Sequence, residues 1–120
     1  MKCSGRSAVS GEPIEIEFDT AIQNVDPVLN DHCDCESSFI APGFVDLQVN
    51  GFAGVDFNSP ATSHQEIERA IDAVFSTGVS RFYPTVITGA PDTMLAALRN
   101  LAAARESVAD GKAIEAFHVE

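Results

Sequence analysis

The chain has 120 residues, a formal net charge of -11 and 45% hydrophobic residues. That length allows one domain or a piece of a larger one, and the apolar content excludes a disordered chain. The excess of acid argues against nucleic acid and anionic membranes as partners, because phosphate backbones are bound through Lys and Arg. An anionic small molecule stays open, since a local positive site can form on an acidic protein.

The three cysteines, Cys3, Cys33 and Cys35, are too sparse and too odd in number for a disulfide framework and fit a reducing cytoplasm. The first residues lack an apolar core of the signal-peptide kind. No run approaches the about 18 apolar residues of a membrane-crossing helix.

Residues 1–13 are small and polar, with Gly5, Gly11 and Pro13, and read as a flexible or edge segment. Ile14 to Phe18 alternates apolar and charged residues, the pattern of a half-buried strand. One more short strand is expected near Ala21–Val25, before Pro27 breaks the pattern. Asp31 to Glu36 holds His32 beside Cys33 and Cys35. A structural zinc site needs a second, distant ligand pair and none is present, so this run is expected to be a polar loop.

Phe39 to Val49 is an apolar run interrupted by Pro42-Gly43. The bend predicts a crossing between layers, then a buried strand over Phe44–Val49. Asp46, Gln48 and Asn50 fall at period two, on one face of that strand. Polar groups are costly to bury without partners. Two readings follow: a solvent-facing edge, or a site at the end of a strand. Asn50-Gly51 marks a turn. A hairpin there needs a matching strand at once, and Phe52–Asn58 is too rich in glycine to supply a convincing one.

Ser63 and Glu66 have the spacing of a capping box, followed by Ile67, Ala70, Ile71 and Val74 on one helical face. The spacing predicts a helix over Ser63–Thr77, closed by Gly78, with His64 solvated in its first turn. Val79 to Ile87 is rich in β-branched and aromatic residues, a buried strand that Pro84 limits to Ser80–Tyr83. Thr85 and Thr88 at its end are expected to satisfy loop backbone. Pro91 opens a second helix over Asp92–Ala109, whose apolar stripe is Leu95, Leu98, Leu101, Ala102 and Val108, and Gly111 ends it. Ala113 to Glu120 reads as a third strand, with Ile114, Ala116, His118 and Glu120 on one face.

Strands alternating with helices predict parallel β/α units with the three strands side by side. That is either the start of a (β/α)8 barrel or part of an open doubly wound sheet. The first strand is not followed by a GxGxxG fingerprint, which speaks against a dinucleotide. Polar residues collect at the carboxyl ends of the first and third strands, where barrel active sites sit.

These residues resemble a known family. Ala41 to Asn58, APGFVDLQVNGFAGVDFN, is similar to the first barrel strand of the amidohydrolase superfamily, usually Pro-Gly-Phe-Ile-Asp-x-His-x-His. It is more closely similar to the N-acetylglucosamine-6-phosphate deacetylase family, one branch of which carries Gln-x-Asn in place of His-x-His. Here those residues are Gln48 and Asn50, followed by Gly51, Gly54, Asp56 and Phe57. Phe82 to Thr88 resembles the family's Phe-x-Pro-Thr-x-x-Thr strand, and Phe117-His-Val-Glu120 the opening of its Gly-x-His-Leu-Glu-Gly-Pro motif. The resemblance runs over residues 38–120 and extends faintly into the amino-terminal segment.

The resemblance implies an α/β fold: the start of a metal-dependent (β/α)8 TIM barrel over residues 42–120, preceded by part of a small β-sandwich over residues 1–41. It implies hydrolysis of the acetamide of N-acetylglucosamine 6-phosphate to glucosamine 6-phosphate and acetate, in a cytoplasmic enzyme that is a homo-oligomer at full length. Glu120 matches the glutamate that binds the divalent metal. Gln48 and Asn50 match positions that hold metal-binding histidines in dinuclear relatives. Neutral carboxamides are poor ligands for a zinc-like ion, so one divalent ion is expected, with Gln48 and Asn50 hydrogen-bonded to water or neighbouring groups. His118 is expected to line the site or support a ligand, with a satisfied core histidine as the alternative. The family's later metal-binding histidines and its acid/base aspartate have no counterpart in these residues, so the chain alone is expected to be inactive. Another amidohydrolase (a D-aminoacylase or a cyclic-amide hydrolase) is a second reading, although those generally carry His-x-His. A non-catalytic α/β binding module is the third. Three open strands would leave an unpaired edge, and poor solubility is expected.

Overall fold

The structure, a computed structural model, describes residues 1–28 and 38–120. The Asp31–Glu36 run, read above as a polar loop, lies outside the described residues. The chain divides into two compact units, Met1–Pro42 and Gly43–Glu120.

The first unit is a four-stranded sheet. Its strands are β1 (Lys2–Ser7), β2 (Pro13–Phe18), β3 (Ile22–Pro27) and β4 (Phe39–Ile40), in the order β3-β2-β1-β4. Neighbours are antiparallel except β1 and β4, which are parallel. The expectation for residues 1–13 is corrected here: β1 is an inner strand, paired on both sides. Ladder formation uses main-chain groups, so a polar sequence can pair when its neighbours supply the register. Lys2 Nζ meets Glu15 Oε1 at 2.6 Å across that ladder. Pro27 is the last residue of β3 and still pairs with Ile14, which is tolerated because β3 is at the sheet edge.

The second unit is mixed α/β. Its elements are β5 (Phe44–Val49), β6 (Gly51–Phe52), β7 (Val55–Asp56), α1 (His64–Phe75), β8 (Val79–Val86), α2 (Pro91–Ser107) and β9 (His118–Val119). β5, β8 and β9 form a parallel sheet with β8 in the middle. Phe82, Pro84 and Val86 alternate along β8 and are fully buried. Phe82 and Val86 join one core with Ile67, Ala70 and Ile71 of α1 and Ala97 and Leu101 of α2. The rings of Phe57 and Phe82 stack within it, 5.8 Å apart. No helix among the described residues is long and apolar enough to cross a membrane.

Both helices start as their sequences dictate. Glu66 N–H donates to Ser63 Oγ at 3.2 Å, and Ser63 N–H donates to Glu66 Oε2 at 2.8 Å, which completes the capping box. Gly78 has φ +85°, and its N–H donates to Phe75 O at 3.0 Å just beyond α1. Pro91 occupies the first turn of α2. The buried stripe of α2 is Ala97, Leu101 and Ala104, with Leu98 and Val108 half-buried. Leu95 is 45% exposed and Ala102 also faces solvent, because the small Ala97 and Ala104 let a neighbouring line of side chains close on the sheet.

Four further expectations are corrected. β8 runs on through Pro84 to Val86 and does not stop at Tyr83. The β5–β8 register slips between Asp46 and Val49, and this irregularity accommodates a residue with no N–H to give. β5 is not a buried strand: Val49 is covered, whereas Phe44 and Leu47 are 68% and 62% exposed. A hairpin does follow β5, formed by β6 and β7. Its turn is Ala53-Gly54, both at positive φ (49° and 80°), the signature of a type I′ turn, and Asn50-Gly51 lies before it. The third strand is shorter than Ala113–Glu120. A 3-10 turn occupies Gly111–Ala113, and the Ile114 carbonyl accepts from Arg105 Nε at 2.8 Å, so a helix side chain takes a group that a longer strand would pair.

Candidate functional site

Gln48 stands near the carboxyl end of β5, His118 lies in β9, and Glu120 follows β9 directly. β8 separates the two outer strands, yet the side chains meet over it. Gln48 Nε2 donates to Glu120 Oε1. His118 pairs in register with Thr85, which puts it on the sheet face opposite Val86 and the helices. His118 Nδ1 lies 3.0 Å from the Leu47 carbonyl oxygen. A carbonyl can only accept, so Nδ1 carries the proton and a neutral ring has its lone pair on Nε2. That nitrogen is 4.0 Å from Glu120 Oε1, beyond hydrogen-bond length.

The backbone of Glu120 is held on both sides. Its N–H donates to Val86 O at 3.1 Å, and its carbonyl accepts from Thr88 Oγ1 at 2.7 Å. Thr88 thus satisfies backbone, as its position after the strand suggests. Thr85 is fully buried, with its hydroxyl 3.4 Å from Tyr83 O.

Asn50 lies just beyond the strand that carries Gln48. β5 ends at Val49, and the side chain of Asp46 folds back to accept from Gln48 N–H at 3.1 Å. The Asn50 carbonyl accepts from Phe57 N–H at 3.3 Å and from Asn58 Nδ2 at 3.2 Å. Asn50 also lines an open pocket of about 400 Å³ beside the β6–β7 hairpin, with Phe52, Asp56, Asn58 and Ile87. Sequence reasoning passed over Asn58, whose signal is only its place just after the Gly-x-Asp-Phe stretch. His64, expected to be solvated, is half-buried and has Nδ1 2.9 Å from Ser107 Oγ, where the last turn of α2 meets the first turn of α1.

The donors available for a cation are one free carboxylate oxygen of Glu120 and, in the neutral ring, His118 Nε2. Both types suit a zinc-like ion. The carboxamide of Gln48 donates through Nε2 to that carboxylate. Among the described residues no group of three or more His, Cys, Asp and Glu side chains is disposed around one point. A hydrolytic metal site needs about three protein ligands, so further donors would have to join Glu120.

No family model matches the chain. Over 64 residues it is 41% identical to N-acetylglucosamine-6-phosphate deacetylase of Caenorhabditis elegans, a match that covers 50% of this chain and 15% of that enzyme. The human enzyme of the same name is 42% identical over 67 residues, 54% of this chain and 16% of that protein. The chain resembles N-acetylglucosamine-6-phosphate deacetylase. The Haemophilus influenzae deacetylase extends the likeness to 89 residues at 35% identity, 70% of this chain and 21% of the relative. The matched stretch is therefore about a fifth or less of the length of each of these deacetylases. A crystal structure of the deacetylase from Pasteurella multocida matches in fold, with a TM-score of 0.59 at 24% identity over 82% of this chain and 27% of that one.

Proposed function

We propose that this chain forms the amino-terminal part of a metal-dependent deacetylase that hydrolyses N-acetylglucosamine 6-phosphate to glucosamine 6-phosphate and acetate. The observation that carries the reading is the convergence of Gln48, His118 and Glu120, from two of the three matching motifs, at the carboxyl ends of parallel strands. Residues 42–120 are read as the first β/α units of a (β/α)8 barrel, and residues 1–41 as part of a β-sandwich. The phosphorylated amino sugar is the partner proposed, in a cytoplasmic homo-oligomer.

One divalent, zinc-like ion, when bound, would polarise the acetamide carbonyl and activate water. Glu120 is the residue here that would hold it. The Gln48 carboxamide occupies Oε1 of Glu120, so Oε2 is the oxygen left to face the site. The Leu47 carbonyl accepts from His118 Nδ1–H, which leaves Nε2 as the ring nitrogen that can face the site. Asn50 lines the pocket beside the hairpin, and its carboxamide is proposed to bind a hydroxyl or amide of the substrate there.

The coding sequence beyond Glu120 is the first check. The reading expects an in-frame continuation that opens Gly-Pro and supplies further histidines and an aspartate. Expressed with that continuation, the protein should deacetylate N-acetylglucosamine 6-phosphate, and Glu120→Ala should abolish turnover and metal retention together. The 120-residue chain alone should release no acetate. A stop codon after Glu120, or metal-dependent acetate release by the chain alone, would overturn the proposal.

A further inference from the structure

We propose that Asn58 is a positioning residue that sets the geometry of Glu120 by fastening together the two strand ends that grip it. The planar amide of Asn58 makes two bonds of opposite sense. Its Oδ1 accepts from Ile87 N–H at 2.8 Å, and its Nδ2 donates to the Asn50 carbonyl at 3.2 Å. Both partners are main-chain groups of fixed polarity, so the orientation of the amide is unambiguous. Ile87 directly follows β8, and Asn50 directly follows β5.

Each arm leads to Glu120 by one further step. On the β8 side, Val86 O and Thr88 Oγ1 flank Ile87 and hold the N–H and the carbonyl of Glu120. On the β5 side, Gln48 lies two residues before Asn50 and holds the Glu120 carboxylate. The same stretch of β5 is where the ladder to β8 slips, between Asp46 and Val49, so Val49–Pro84 is the one ladder pair after the slip, and the ends beyond it are joined through Asn58. Asn58 is half-buried and itself anchored, its N–H donating to Asp56 Oδ1 at 2.8 Å. A carboxylate could keep the acceptor arm but not the donor arm, and an alanine keeps neither.

The consequence for catalysis rests on the function proposed above, but the geometry can be tested without metal or substrate, so either can fail alone. The experiment is NMR of the 15N-labelled chain and of Asn58→Asp, Asn58→Ala and Asn100→Ala. Asn100 Nδ2 donates to Thr62 O at 2.8 Å and anchors the same loop from α2 without touching either strand end. In the parent, the bond to Glu120 should widen the shift separation of the two Gln48 Nε2 protons beyond that of a free carboxamide. Asn58→Asp should collapse that separation while the Ile87 amide stays protected. Asn58→Ala should collapse it and speed exchange of the Ile87 amide about tenfold. Asn100→Ala should lower the melting temperature and leave the Gln48 signal unchanged. A Gln48 signal that survives both Asn58 variants overturns the proposal. So does loss of the whole fold in both, or an equal collapse in Asn100→Ala, since Asn58 would then serve stability alone.

Discussion

The carboxamide of Gln48 donates to the carboxylate of Glu120 across 72 residues of chain, over the strand that lies between theirs. A neutral donor in this position suits an adjacent carboxylate, whereas a second charge does not. Gln48→Glu should therefore set two carboxylates against each other and cost about 0.5–1 kcal/mol at pH 7. Both groups are partly exposed, so added salt should recover most of the loss. Thermal melts at low and high ionic strength check this; a salt-independent loss would contradict it.

Phe82 is fully buried at the centre of the second unit and stacks on Phe57. Phe82→Ala removes a ring that well-packed neighbours cannot replace, and should cost about 3–5 kcal/mol. That is a large part of the stability of a small domain. Urea unfolding followed by helical circular dichroism should show the midpoint collapse, while Leu95→Ala, on the exposed side of α2, should leave it nearly unchanged.

The capping box of α1 makes a pH prediction. Hydrogen bonds from the Ser63 hydroxyl and backbone hold the Glu66 carboxyl below its ordinary value of 4.5. A carboxyl depressed on folding contributes stability above the unfolded value, and that contribution is lost as pH falls through the folded value. Ser63→Ala should lower stability by about 1 kcal/mol at pH 7 through loss of the N-cap. The deficit against the parent should shrink as pH drops below 4.5. Melting temperatures taken in steps from neutral pH downward measure it; a deficit that grows on acidification would refute this account.

Ala53 sits at φ 49° in the hairpin turn. The left-handed region costs a residue with a Cβ about 1 kcal/mol, and glycine avoids that cost. Ala53→Gly should raise the melting temperature, offset in part by the greater freedom of glycine in the unfolded chain. Gly54→Val should lower it, since Gly54 has φ 80°. Equal melting of all three proteins would remove the turn from the list of strained positions.

Both helices were legible to within about two residues, because their signals are local: a cap, a periodic apolar face, a terminating glycine or an opening proline. β2 was legible from its alternation. β1 was not, since polar Lys2–Ser7 pairs through main-chain groups and no side-chain pattern marks it. Pro84 misled for the opposite reason. It carries a strong local signal against a central strand, and the register slip of β5, which no sequence pattern announces, removes the conflict.

The sequence by itself determined the two helices, the alternation of strands and helices around them, and the motifs that hold Gln48, His118 and Glu120. Periodicity and motif spacing are properties of neighbours along the chain, and they survive without the fold. Only the tertiary structure decided that Gln48 turns its donor to Glu120 and that Asn58 joins the ends of β5 and β8. These contacts depend on how two non-adjacent strands are registered against a third. A slip of one residue redirects a side chain to the other face, so local pattern alone cannot specify them.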